Sequence, residues 1–347
     1  GERPVILLHD YQLYMVPGNL RESLRGTRAE DAFVSLFVHI PWPDPGYWRI
    51  LPREIRESLL RSLLTCDVLA FHTSRYARSF LDTASEILGA EVEYDAGLVR
   101  YAGNETRVRS YPISIDPAEF SELAESENVL AEEEYVRGLP GKLLLRVDRL
   151  DLSKNILRGF LAYGRMLQRH PEMRGQVTFL AQLQPSRESI AEYARYSEAV
   201  QEAVDEINAE HRTDEWEPII LSLQDNFPRS VAAYKNYDAL LVNAVRDGMN
   251  LVAKEAAVVN RRDGALILSE TAGAHEELGE HAVTVNPFDL DEQAEEIHGA
   301  LTMNSADRAD RARRLRETVY QNTVDDWVRA QLDDISSLRP AQSRTEK

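Results

Sequence analysis

Short apolar runs alternate with amphipathic stretches along almost the whole chain. Val5-Ile6-Leu7-Leu8, Phe33 to Val38, Val68 to Phe71 and Arg107 to Tyr111 read as strands. The stretches up to about Leu24, from Leu51 to Leu64 and from Arg75 to Leu88 carry helical periodicity. An acidic helix is expected from Pro117 to Val136, and the Gly138-Leu139-Pro140-Gly141 cluster then breaks the pattern. The alternation resumes with strands at 142–147, 177–180, 219–221, 239–242 and 265–268. Helices are expected from Lys154 to Arg169, from Ser186 to about Ala209, and from Asp291 almost to the end. Parallel strands need crossover connections, so repeated βα units imply parallel sheets flanked by helices. The expected fold class is α/β, with two Rossmann-like, doubly wound domains that part near residues 138 and 139. The polar tail 339–347 is expected to be disordered.

Ligands of open α/β sheets bind beyond the carboxyl ends of the strands, and there this chain places its polar residues. The first strand ends in His9-Asp10-Tyr11-Gln12 and the second in His39-Ile40-Pro41-Trp42-Pro43. Asp148-Arg149-Leu150-Asp151-Leu152-Ser153-Lys154 and Gln184-Pro185-Ser186-Arg187 follow later strands. The most telling stretch is Arg246-Asp247-Gly248-Met249-Asn250-Leu251-Val252-Ala253-Lys254-Glu255, which follows the run 239–242. Strand, glycine turn and helix form a geometry in which backbone N–H groups face an anion. Asp247 in the turn can reach hydroxyls, and Glu255, eight residues on, can touch the other end of a long ligand. Each element also has a plainer role. A strand–turn–helix unit needs a glycine for its bend, a histidine at a strand end caps a carbonyl, and Arg149 and Lys154 form salt bridges on a solvated turn. Against this, both cations can converge across the turn on one diphosphate, Arg as a fork and Lys as a point charge. Trp42 and Trp48, in a loop stiffened by Pro41, Pro43 and Pro45, read as core or lid residues.

Charge narrows the partners. The 347 residues carry a formal net charge of −18, which argues against nucleic acid or an anionic membrane as partner. A phosphate must therefore be met by a few placed cations or by helix N-termini. No run is long enough to span a bilayer, and the first residues lack a signal peptide's apolar centre. The single cysteine, Cys66, excludes an internal disulfide, reads as a buried apolar residue and fits a cytoplasmic location. No metal is expected: His275 and His281 are six positions apart, whereas paired ligands on one helical face lie four apart. No GxxxxGK(S/T) loop, no GxGxxG after a strand and no GxSxG elbow occurs, and Asp148 and Asp151 lack the spacing of an aspartyl-phosphate phosphatase.

The segments beginning at His9, His39, Arg149, Pro185 and Arg246 occur in the order seen in trehalose-6-phosphate synthases, which the chain resembles from about residue 5 to 335. Ala272-Gly273-Ala274, Glu277-Leu278, Val285-Asn286-Pro287 and Trp327 add to the likeness. The resemblance implies a retaining glycosyltransferase of the GT-B fold, with the active site in the cleft between its domains. The first domain would span 1–138 and be joined by a carboxy-terminal helix 322–338, and the second would span 139–321. It implies that Arg149 and Lys154 hold the donor diphosphate and Glu255 the ribose. Asp247 with Gly248, Met249, Asn250 and Leu251 would grip the donor sugar and phosphates. His39 would lie at the sugar's reactive end, Asp10 and Tyr11 on the acceptor side, and Arg187 at the acceptor phosphate. Front-face retention needs no enzyme nucleophile, because the leaving phosphate oxygen takes the acceptor's proton. The co-substrate would be a UDP- or GDP-linked sugar and the acceptor a phosphorylated sugar, with no resident cofactor and homo-oligomer formation left open.

The chain also departs from the family pattern. Sequence expected before His9-Asp10, including a glycine-rich loop, is absent, so the first domain is expected to be truncated, with an exposed sheet edge. Leu152 and Asn155 replace the usual aromatic and small residues, Asn243-Ala244-Val245 stands for Thr-Pro-Leu, and the His39 loop is altered. These changes keep three readings open: transfer of glucose to glucose 6-phosphate, the same donor with glycerol phosphate or an aminocyclitol phosphate, and a silent nucleotide-sugar-binding module.

Overall fold

A computed structural model describes residues 4–187 and 189–338, which form two compact units. The first comprises residues up to Ile113 together with the segment from Val324. Its sheet contains β1 (Val5–His9), β2 (Phe33–Val38), β3 (Val68–Phe71), β4 (Glu91–Glu93), β5 (Leu98–Tyr101) and β6 (Asn104–Ser110), in the order β1-β2-β3-β6-β5-β4. β1, β2, β3 and β6 run parallel, while β4 and β5 add an antiparallel edge that the sequence pattern does not announce. β2 and β3 are buried throughout, as strands covered on both faces must be. One face carries Trp42, Phe71 and Phe80 on the core side, with Trp42 stacked 4.6 Å from Trp48 and its Nε1 donating to Thr83 Oγ1. The other face packs Phe33 and Phe37 against Ile335 and Trp327 of the helix Val324–Leu338. Tyr111 Oη donates to Asp334 Oδ2 at 2.5 Å, and Arg109 Nε pairs with the same oxygen at 2.9 Å, which pins that helix. β1 forms the opposite edge, with Val5 and Leu7 exposed. Cys66 is buried, and burial pushes its thiol up.

The second unit, Ser114–Thr323, holds β7 (Lys142–Arg149), β8 (Val177–Gln184), β9 (Ile219–Leu223), β10 (Ala239–Val242), β11 (Ala265–Ser269) and β12 (Val283–Val285). The order β12-β11-β10-β7-β8-β9 is parallel throughout, so the strands turn back about β7 and β10. That reversal is the place where a doubly wound sheet opens a crevice. The division between the units falls at Ile113 and Ser114, earlier than the glycine cluster at 138–141. The helices Pro117–Leu123 and Glu127–Arg137 belong to the second unit, tied there by a buried ion pair. Lys235 Nζ, fully buried, lies 3.1 Å from Glu133 Oε2 and donates to Ala124 O at 2.8 Å. The expected disordered tail 339–347 lies outside the described residues.

Candidate functional site

In the second unit the carboxyl ends of β7 and β8 open on a cavity of about 220 Å³. Asp148, Arg149, Lys154, Gln182, Gln184, Asp225, Asn226, Phe227, Ser230 and Tyr234 line it. After β7 the chain turns sharply: Asp151 accepts from the backbone and hydroxyl of Ser153, a 3-10 turn covers Leu152–Lys154, and Asn155 adopts φ 60° to start the next helix. Asparagine tolerates that left-handed conformation, and here its amide also donates to Asn243 O and Pro287 O. Lys154 lands between two carboxylates, 2.6 Å from Asp247 Oδ2 and 3.4 Å from Asp148 Oδ1. Burial works against its ammonium, but Asp148 and Asp247 outweigh that and hold its pKa above the ordinary lysine value. Arg149 is exposed on the cavity wall.

Behind Lys154 lies a charge that the sequence reading missed. Arg146 is fully buried within β7, 3.0 Å from Asp148 Oδ2, and donates to Asn243 Oδ1 at 2.6 Å and to Lys154 O. Gly159 makes room for it: a Cβ there would sit 2.7 Å from Arg146 Nη1. An arginine inside an otherwise apolar strand, Leu143-Leu144-Leu145-Arg146-Val147, was the available signal.

On the far side of the reversal, Asn250 takes φ 91° and caps the helix Leu251–Val259 through Ala253 N–H, while its amide donates to Asp247 Oδ2 at 3.0 Å. Gly248 and Met249 are buried beneath the turn. Gly273 N–H donates to Asp247 O and Ala274 N–H to Met249 O, which brings the two loops into close contact. A Cβ on Gly273 would lie 2.0 Å from Gly248 O, so only glycine fits. Glu255 is hydrogen-bonded by Tyr234, but burial dominates and raises its pKa. Its neighbour Lys254 is buried 2.6 Å from Glu277 Oε2, and burial lowers the lysine's pKa. Arg187, at φ 50°, donates to Tyr193 Oη at 2.8 Å, and that hydroxyl donates to Asp151 Oδ2 at 3.2 Å. The structure thus brings Arg149, Lys154, Asp247 and the 248–251 turn together within one unit and links Arg187 through Tyr193 to Asp151 in the turn after β7.

In the first unit the ends of β1 and β2 gather His9, Asp10 and His39. His9 Nδ1 is 3.0 Å from His39 Nε2, and Asp10 Oδ1 lies 3.4 Å from His39 N. Asp10 holds φ 74°, a strained conformation for a residue with a side chain. Burial lowers the His39 pKa, Asp10 opposes that, and His9 adds to it. The buried His72, which the motif reading passed over, packs its ring 5.1 Å from His39 and 4.8 Å from Phe37. Tyr11, next in the chain, is exposed in the 3-10 turn Tyr11–Leu13.

Among the described residues, one group has metal-ligand chemistry: His170, Glu172 and His298, which do not line the cavity. Their rings stack parallel, 3.7 Å apart at 5°, and Glu295 and Glu172 already meet their nitrogens. A metal binds in the plane of an imidazole, so two parallel rings do not converge on one ion. His275 instead lies 2.9 Å from Thr284 Oγ1.

Two Rossmann-like units, one with cations and a capped helix start at its strand reversal, define the GT-B fold. The crystal structure of a trehalose-phosphate synthase from Burkholderia xenovorans in complex with glucose-6-phosphate superposes with a TM-score of 0.87 at 30% identity, covering 97% of this chain and 74% of that one. The trehalose-6-phosphate protein from E. coli bound with UDP-2-fluoro glucose gives 0.89 at 29% identity, with 98% and 74% covered. The chain belongs to glycosyltransferase family 20, whose pattern matches residues 2–337. A validamine 7-phosphate valienyltransferase from Streptomyces hygroscopicus is 36% identical over 344 residues, 99% of this chain and 66% of the relative. The UDP-forming trehalose-phosphate synthase of Botryotinia fuckeliana is 36% identical over 340 residues, 96% of this chain and 64% of the relative. The chain thus spans just under two thirds of the length of these curated relatives.

Proposed function

We propose that the chain acts as a retaining hexosyltransferase that moves glucose from a nucleotide sugar to glucose 6-phosphate, giving trehalose 6-phosphate. The observation that carries this is the Lys154–Asp247 junction, in which one cation joins the β7 turn to the helix start after β10, beside Arg149 on the same cavity. A diphosphate over the end of β7 would meet both cations. In the reaction the bond from the sugar's C1 to the phosphate oxygen breaks, and the acceptor oxygen bonds to C1 on the same face. The acceptor's proton passes to the leaving phosphate, whose growing charge Arg149 and Lys154 stabilise. Asp247 would orient the sugar, Glu255 the ribose and Arg187 the acceptor phosphate, with His39, Asp10 and Tyr11 serving the sugar and acceptor. The nucleotide sugar is a co-substrate, and the chemistry needs no resident cofactor.

A second reading, with an aminocyclitol phosphate as acceptor, draws support from the valienyltransferase, which is as similar to the chain as the synthase is. To decide, the protein is incubated with UDP-glucose or GDP-glucose and, in turn, glucose 6-phosphate, glycerol phosphate or an aminocyclitol phosphate, and product mass is measured. The expected product is trehalose 6-phosphate. A product with the aminocyclitol phosphate alone would replace the first reading with the second, and nucleotide binding without any transfer would make this a binding module.

A further inference from the structure

Gln182, the sixth residue of β8, lines the cavity yet is only 3% exposed. Neither its amide nitrogen nor its amide oxygen has a hydrogen-bond partner among the described residues. A buried donor and acceptor left unmade are costly, and native proteins keep such groups where a ligand completes them. The position says which part of a ligand that is. In the sheet order β10-β7-β8-β9, Asp247 follows β10 on one side of β7, and Gln182 lies on β8 on the other. A diphosphate held at the end of β7 with its sugar at Asp247 then has its base toward β8 and β9, while Glu255, hydrogen-bonded by Tyr234 of the cavity lining, stays within reach of the ribose. Phe227 lines the same cavity and is 48% exposed, an aromatic face free for a flat ring to pack on.

We propose that Gln182 reads the edge of the donor's nucleobase, its carboxamide completing a donor–acceptor pair with an adjacent N–H and carbonyl while Phe227 packs on the base's face. This rests on the donor-site reading above and adds a base-reading residue to it. A carboxamide at this depth makes affinity depend on the base, and it does so at a cost to the stability of the unliganded fold.

The two consequences give the test. Affinities of the full chain for UDP, GDP, ADP and inorganic pyrophosphate are measured by calorimetry for the wild type and Gln182→Met, which keeps the length and removes the amide. Losing this pairing is expected to weaken the preferred nucleotide by about tenfold or more. It should also compress the spread among the three bases, leave pyrophosphate unchanged and raise the nucleotide-free Tm. An equal loss for pyrophosphate, an unaltered base preference or a lower Tm overturns the proposal. Gln182→Leu repeats the comparison in case methionine repacks poorly. A wild type that binds pyrophosphate and all three nucleotides alike sinks the base-reading role alone, whereas a wild type that binds none of them sinks the donor site with it.

Discussion

At His39 three influences on one imidazole can be separated by substitution. Burial lowers its pKa from the ordinary 6.5, the Asp10 carboxylate opposes this, and His9 reinforces it. Asp10→Asn should therefore lower the pKa further, and His9→Ala should raise it, both read by NMR titration of the ring. The opposite order would mean that the three side chains do not share a site in solution. Because folding depresses this pKa, the unfolded chain binds the proton more tightly. The stability that His39 contributes is present above 6.5 and lost as pH falls through the folded value. The sequence already pointed to His9, Asp10 and His39, because polar residues at strand ends stand out against apolar runs. Gln182 and Arg146 were hidden for the converse reason. They sit inside strands and not at strand ends, so a search of strand ends passes them over, and only the packing reveals that one amide lacks partners among the described residues and one guanidinium has a carboxylate beside it.

The turn after β7 works as an element because its charges alternate: Arg146, Asp148, Lys154 and Asp247 follow one another at 3.0, 3.4 and 2.6 Å. Lys154 alone between two carboxylates would be a poor partner for phosphate, and Arg146 occupies Asp148 from behind. Arg146→Met breaks the buried pair with Asp148 and leaves that carboxylate to Lys154, and breaking a buried pair typically costs about 3–5 kcal/mol. It should lower both Tm and nucleotide affinity, whereas adding Asp148→Asn should recover the affinity. If the double variant binds as weakly as the single one, Arg146 acts through shape and not charge. The β7–helix and β10–helix units were legible from their turns, since Gly248 and the polar run 148–154 mark them plainly. The three-residue strands β4 and β12 were not, because so short an element contains too few positions to show a period of two.

The unit boundary depends on packing that no local signal carries. Gly138 to Gly141 is a real break in the helical pattern, yet the helix before it is bound to the second unit by Glu133, Lys235 and Asn236. A chain with a net charge of −18 must concentrate its attraction for a phosphorylated ligand in a few residues, and the second unit contains the candidates. Nucleotide should therefore stabilise the protein by mass action, with a Tm that climbs with ligand concentration. Removing one partner of a charged contact costs on the order of 2–5 kcal/mol, so Arg149→Ala and Lys154→Ala should each abolish most of that rise. The nucleotide-free Tm should separate the two variants. Lys154 is pinned between Asp148 and Asp247, so Lys154→Ala should lower it. Arg149 is exposed on the cavity wall, and its removal should leave the unliganded fold nearly unchanged. Differential scanning fluorimetry across a UDP and GDP series checks both. A full thermal shift in both variants would move the diphosphate away from the end of β7.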